Sequence, residues 1–160
     1  MDEVVITYGT FDLFHIGHLN LLKRAKSLGN KLIVGVSTDE FAQLKGKSVI
    51  VPFKERIKIV ESIKYVDLVI PETCWEQKVE DIKKFNVSVL VMGDDWKGKF
   101  DFLKKLCKIV YLPRTKGIST SHYKHLIHKG KLFDKILQII RNSNDLNEIK
   151  QIVEQKLSKF

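Results

Sequence analysis

The sequence predicts an α/β fold: a five-stranded parallel sheet with helices on both faces, followed by C-terminal helices. Two observations predict it. Short β-branched runs alternate with longer segments of helical spacing, the order expected of βαβ units. Several runs, Val87 to Met92 among them, are apolar without a break, which suits strands covered on both sides. The first strand is Val4-Val5-Ile6-Thr7. Leu19 to Lys26 reads as a helix, stopped by Gly29-Asn30. Lys31 to Val36 is a second strand, and Pro52 opens a helix running to about Tyr65. Asp67 to Ile70 is a third strand, ended by Pro71, and Trp75 to Phe85 is helical. Val87 to Met92, Phe100 to Leu106 and Lys108 to Leu112 follow as strand, helix and strand, with stops at Gly93 and Pro113. The order is Rossmann-like, and ligands of such sheets lie beyond the carboxyl ends of the strands, where strand order reverses.

After Pro113 the character changes. Ile118-Ser119-Thr120-Ser121 looks like a helix entrance, because hydroxyl side chains cap free amides there. Leu132 to Arg141 and about Asp145 to Leu157 read as two helices separated by Asn142-Ser143-Asn144, the last with an apolar stripe that includes Leu146, Ile149 and Ile152. The expected organisation is an α/β domain over 1–130 with a helical extension of the same domain over 131–160.

The chain has 160 residues, 44% of them hydrophobic, enough for one domain with one core. No apolar stretch reaches the roughly 18 residues of a membrane span. Met1-Asp2-Glu3 lacks the basic start of a secretion signal, so a cytoplasmic protein without membrane insertion is expected. Cys74 and Cys107 form no CxxC pair and carry no zinc or redox signature. The net charge of +9 points to anionic partners. A nucleic-acid-binding module would account for the charge but not for phosphate-type motifs at four separate strand ends, so small anionic substrates are expected and no nucleic acid.

Those motifs carry the chemistry. After the first strand comes Tyr8-Gly9-Thr10-Phe11-Asp12-Leu13-Phe14-His15-Ile16-Gly17-His18. His15 and His18 stand three apart at a helix start, where free amides favour phosphate and two imidazoles can donate to its oxygens. After the second strand come Asp39, suited to a ribose or to placing a loop, and Lys45-Gly46-Lys47, a loop whose lysines are free to swing onto phosphates. Gly93-Asp94-Asp95-Trp96 follows the fourth strand, with acidic groups for a base, a ribose or a metal. Arg114-Thr115-Lys116-Gly117-Ile118-Ser119-Thr120 follows the fifth, with a guanidinium for bidentate phosphate binding ahead of another helix N-terminus.

The segments GTFDLFHIGH and RTKGIST resemble the two halves of the signature of the cytidylyltransferase-like nucleotidyltransferases. His-Ile-Gly-His is shared with class I aminoacyl-tRNA synthetases, but the chain is far too short for one and lacks Lys-Met-Ser-Lys-Ser. The resemblance covers about residues 3 to 125. It implies transfer of a cytidylyl group from CTP without an enzyme nucleophile, with Mg²⁺ carried by the phosphates and not by a protein cage, and a homodimer. Trp75-Glu76-Gln77, Met92-Gly93-Asp94-Asp95-Trp96 and GKFDFL are most similar to the branch whose acceptor is glycerol 3-phosphate, which implies CDP-glycerol for polymers such as teichoic acid or capsule. The same chemistry with ATP, or on another polyol or sugar phosphate, fits the two signature halves equally well. The resemblance further implies catalytic roles for His15, His18, Lys45 and Arg114. It implies nucleotide contacts at Gly9, Thr10, Phe11, Asp39, Gly93, Asp95, Thr115, Gly117, Ile118, Ser119 and Thr120, and acceptor contacts at Arg56, Trp75 and Asp12, with orienting the site or a metal as the other role open to Asp12. Lys64 stands where the family usually has an arginine.

Overall fold

The computed structural model describes residues 3–142 together with 151, 154 and 155. Five strands, β1 (Val4–Gly9), β2 (Lys31–Ser37), β3 (Leu68–Glu72), β4 (Val87–Gly93) and β5 (Lys108–Leu112), form one sheet in the order β3-β2-β1-β4-β5, every neighbouring pair parallel. The chain steps outward from β1 to β3, then returns to β1 and builds the other half. Strand order therefore reverses between β1 and β4, and their carboxyl ends flank the crevice in which such sheets bind ligands.

Alternation along the strands supplies the two cores. Val4, Ile6 and Tyr8 face one layer, with Leu90, Met92, Ile82 and Leu103. Val5 faces the other, with Leu32, Val34, Leu22, Val60 and Val91. Helices α1 (Ile16–Lys26) and α3 (Phe53–Glu61) cover the second layer, while α4 (Gln77–Lys84) and a 3₁₀ turn (Asp101–Lys105) cover the first. Helices thus lie on both faces, as expected.

Four details differ from the sequence reading. A six-residue helix, α2 (Asp39–Leu44), fills what read as loop; the Thr38 hydroxyl accepts from the Phe41 amide, and two acids occupy its first turn. Pro71 continues β3 and does not end it, paired with Val36. It is tolerated because β3 is an edge strand with one side free of the ladder. The helix from Pro52 stops at Glu61, short of Tyr65, where the Ser62 hydroxyl donates to the Lys58 carbonyl. The expected helix Phe100–Leu106 is 3₁₀, and a second 3₁₀ turn covers Asp94–Trp96.

Beyond the sheet, α5 (Thr120–Asn142) is continuous across Leu132 to Arg141. The chain divides into compact units at 1–120 and 121–160, and position 130 lies within α5. The expected helix from Asp145 to Leu157 falls largely outside the described residues.

Gly35 is the tightest packing point near the site. It sits opposite Tyr8 in the β1–β2 register, and a Cβ there would stand 2.2 Å from Tyr8 Cδ1. The ring of Tyr8 lies against this glycine. We expect Gly35→Ala to displace that ring and destabilise the fold by about 1–3 kcal/mol, read as a lower urea midpoint at unchanged slope.

Candidate active site

The turn after β1 is strained. Phe11 and Leu13 have φ of 53° and 47°, left-handed values that cost a side-chain-bearing residue on the order of 1 kcal/mol each. Hydrogen bonds over-determine the turn. The Asp12 carboxylate, buried between them, accepts from the amides of Ile50 (3.0 Å) and Val51 (2.9 Å). The Thr10 carbonyl accepts from Arg56 and the Asp12 carbonyl from the Thr120 hydroxyl. Phe11 is buried, Gly9 ends β1 beneath its ring, and the Thr10 hydroxyl is buried without a hydrogen-bond partner among the described residues.

His15 is the N-cap of α1. Its Nδ1 accepts from the Gly17 amide at 3.0 Å, so in the neutral ring the proton is on Nε2. Nε2 lies 3.3 Å from Thr120 Oγ1, which itself donates to Asp12. Donor and acceptor roles then follow in one direction: His15 to Thr120 to the Asp12 carbonyl. His18 stacks on His15, ring centroids 3.9 Å apart, and packs against Phe11 and Phe14 at 5.3 and 5.5 Å. Its Nδ1 is buried with no hydrogen-bond partner among the described residues. Burial, then the neighbouring His15, brings the His18 pKa down to about 3, and burial also lowers that of His15. Both rings are neutral near pH 7.

The segment after β5 closes over this pair. Asn20 donates to the Thr115 hydroxyl at 3.3 Å, and Arg24 donates to the Pro113 carbonyl at 2.8 Å. A Cβ on Gly17 would stand 3.3 Å from Ile118 Cγ2. Gly117 has φ of 77°, a left-handed bend that leads through half-buried Ser119 into α5. Arg114 donates to Asp95 Oδ2 at 2.8 Å, and both side chains are well exposed, so the pair holds weakly. Gly93 lies under Asp95, where a Cβ would meet Oδ1 at 2.5 Å. The β1, β4 and β5 ends thus bring His15, His18, Asp95, Arg114, Thr115, Ile118 and Thr120 together.

Three expected ligand residues are placed otherwise. Lys45 is not on a swinging loop. It caps the C-terminus of α2 with its side chain 5% exposed, and its ammonium donates to Ser37 Oγ (2.6 Å) and Glu72 Oε2 (2.9 Å). Burial among cations lowers its pKa despite the Glu72 partner. Arg56, expected to hold the acceptor phosphate, is buried, its guanidinium donating to the carbonyls of Val51, Thr10 and Ser37 and to Asp39 Oδ1. Asp39, expected at a ribose or placing a loop, takes the second role: it accepts from that guanidinium and from the Phe53 amide. An arginine among strand-end carbonyls is a more complete use of its fork than a solvated helix face would be.

Glu72, Lys78 and Tyr8 were not singled out by the sequence reading. Glu72 is buried and binds both Lys45 and Lys78, the latter through Oε1 at 2.6 Å. Burial alone would raise its pKa; the two ammonium groups outweigh that and hold it below the ordinary carboxylate value. Trp75, over a third exposed, lies against Phe41 (5.3 Å) and Trp96 (5.2 Å). Lys78 had a signal, its place in Trp75-Glu76-Gln77-Lys78; Glu72 had none beyond following a proline.

A His held neutral inside the fold stabilises it fully above the ordinary His pKa, and loses that contribution as pH falls towards the depressed folded value. Between pH 7 and pH 3, His18 should cost on the order of 4 kcal/mol of stability. Urea melts across that window are expected to show the slope flattened in His18→Asn; an unchanged slope would mean that His18 protonates freely in the native state.

The chain is similar to known proteins in sequence and in fold. Residues 6–150 match the cytidylyltransferase-like family model. A glycerol-3-phosphate cytidylyltransferase of Bacillus subtilis is 59% identical over 123 residues, 77% of this chain and 95% of that protein. One of Staphylococcus aureus is 55% identical over 124 residues, 78% of this chain and 94% of that protein. A crystal structure described as a lipopolysaccharide core biosynthesis protein, from Thermoplasma volcanium, superposes with a TM-score of 0.65 at 26% identity, covering 72% of this chain and all of the other. With its paired histidines at the point of strand reversal and a family match spanning most of its length, the chain belongs to the cytidylyltransferase-like family, on the side of the glycerol-3-phosphate cytidylyltransferases.

Proposed function

We propose that the protein transfers the cytidylyl group of CTP to glycerol 3-phosphate, yielding CDP-glycerol and pyrophosphate. The observation that carries the reading is the contact of His15 Nε2 with Thr120 Oγ1 at 3.3 Å, which joins the two signature segments where strand order reverses. The acceptor phosphate oxygen attacks the α-phosphorus in line. One P–O bond forms, the bond to the bridging oxygen of the β-phosphate breaks, and the electron pair leaves with pyrophosphate. No protein nucleophile takes part, so the residues act by positioning and by stabilising charge.

In this mechanism the neutral His15 turns its Nε2–H from Thr120 to an α- or β-phosphate oxygen, and His18 supports it from the stacked position. Arg114 exchanges exposed Asp95 for the triphosphate. Lys45 reaches the phosphates from its place between Ser37 and Glu72. Thr115, Ser119 and the N-terminus of α5 complete the phosphate side, with Gly9, Thr10, Phe11, Gly93, Asp95 and Ile118 shaping the nucleotide side. Arg56 and Asp12 act as positioning residues that hold the strained turn, and Trp75 walls the acceptor side. Mg²⁺ carried in with the triphosphate would supply neutralisation of the phosphate charge, beside the cations of Lys45 and Arg114. The protein is read as a cytoplasmic homodimer supplying glycerol-phosphate polymer synthesis. No described helix is long and apolar enough to cross a membrane.

The test is pyrophosphate release with CTP, ATP, GTP and UTP crossed against glycerol 3-phosphate, phosphocholine, phosphoethanolamine and ribitol 5-phosphate. Turnover is expected with CTP and glycerol 3-phosphate; preference for another pair would sink the substrate assignment. His15→Ala should lower kcat by about a hundred- to a thousandfold, with retained near-ultraviolet circular dichroism showing that the fold survives. Arg114→Lys, which keeps the charge but loses the fork, should raise the KM for CTP by about tenfold or more; an unchanged KM would take Arg114 out of the triphosphate site.

A further inference from the structure

Among the described residues three buried side-chain polar atoms have no hydrogen-bond partner in the protein: Thr7 Oγ1, Thr10 Oγ1 and His18 Nδ1. All three fall between positions 7 and 18, in β1, just past its end and in the first turn of α1. Buried polar atoms are seldom left unpaired, and three at one strand end call for a common partner. Alternation puts Val5, Thr7 and Gly9 on the face of β1 that α1 and α3 cover. Thr7 is wholly buried there, between Val34 of β2 and Val91 of β4 in the register. Gly9 has no side chain, so the Phe11 ring lies against the strand: a Cβ on Gly9 would stand 2.9 Å from Phe11 Cε2. His18 packs against that same ring at 5.3 Å. Thr7 and His18 thus share one layer at one strand end. Valine would fill the place of Thr7 in this apolar layer, so the hydroxyl needs a reason of its own. His15 supplies the comparison. Its Nδ1 accepts from the Gly17 amide, which puts its proton on Nε2, and no backbone amide does this for His18.

We propose that one buried water joins these three atoms and makes Thr7 a positioning residue for His18. The water accepts from the Thr7 hydroxyl, donates one hydrogen to His18 Nδ1 and the other to Thr10 Oγ1, about the number of bonds a buried water usually makes. With Nδ1 held as an acceptor, the neutral ring carries its proton on Nε2. Both histidines of the pair then have the same tautomer, one set by a backbone amide and the other through a water, and each has an N–H to give to a phosphate oxygen. The inference rests on the activity proposed above and adds how His18 is readied for it.

The test begins with the unaltered protein. Its histidines are labelled with ¹⁵N, and long-range proton–nitrogen correlations are recorded near pH 7 without nucleotide. The His18 signals, among five histidines, are those lost in His18→Gln. His18 is expected as a single tautomer protonated at Nε2; a proton on Nδ1, or an even mixture, would overturn the proposal even if every Thr7 variant failed to fold. Thr7→Val removes the hydroxyl and keeps the shape, and should give a mixture of tautomers, while Thr7→Ser should keep the single one. A His18 spectrum unmoved by Thr7→Val would also sink the idea. Stability provides a second arm. An unpartnered hydroxyl destabilises an apolar layer, so its replacement by valine would raise the urea midpoint; a hydroxyl bonded to water contributes stability, and valine lowers it. A lower midpoint is expected, and a higher one counts against the water. In turnover with CTP and glycerol 3-phosphate, Thr7→Val should lower kcat about tenfold at unchanged KM, with recovery in Thr7→Ser. An unchanged kcat would end the positioning role. Should the unaltered protein turn over no acceptor at all, the proposed activity fails, and the tautomer and the midpoint still decide whether Thr7 sets His18.

Discussion

The guanidinium of Arg56 holds together the backbone on which the site is built. β1 and β2 end side by side, and the carbonyls of Thr10, just past β1, and of Ser37, the last residue of β2, would be costly to leave buried and unpaired. One side chain from α3 satisfies Thr10 and Ser37 together, reaches Val51, and closes its charge on Asp39. Asp12 then receives the Ile50 and Val51 amides from the opposite side. The left-handed Phe11 and Leu13 persist because these bonds fix the chain before and after them. His15 takes its place as N-cap only because that turn delivers it there.

A second buried polar network lies beside the first. Glu72, Lys45, Lys78 and Ser37 place two ammonium groups on one carboxylate in a water-poor environment. Removing the carboxylate would leave two buried charges without an opposite, whereas removing either lysine leaves one pair intact. Such a network adds less to stability than an apolar core of equal volume would, and its value is geometric. It fixes where Lys45 stands relative to Trp75 and the strand ends.

Much of the fold was legible because its signals are local. Uninterrupted apolar strands, Gly and Pro at their ends and helical spacing between them identified five strands and the crevice. His15, His18, Arg114 and Thr120 were legible because they stand in two short motifs whose physics needs no tertiary information. What was missed depends on neighbours distant in sequence or on elements too short to show a period. Six residues of α2 hold less than two turns. Pro71 looks like a stop unless β3 is known to be an edge. Lys45 looks mobile until Glu72, 27 residues on, is seen beside it. Arg56 reads as an acceptor contact because nothing in its own helix reveals that the ends of two strands lie against its tip. Helical spacing for Phe100 to Leu106 was real, but a 3₁₀ turn shares much of that pattern over so few residues.

On the proposed reaction, the ion pairs of Lys45 with Glu72 and of Arg114 with Asp95 have a consequence for how a polyphosphate would enter. Neither cation waits with its charge unopposed. Each is already neutralised by a carboxylate of the protein, so binding is an exchange of anions: the ligand displaces an internal competitor that stays tethered nearby. Such a site grips its ligand less tightly than its positive charges alone would suggest. When pyrophosphate departs, the carboxylates return to their cations and compete with its rebinding, so the residues that receive the substrate also help to release the product.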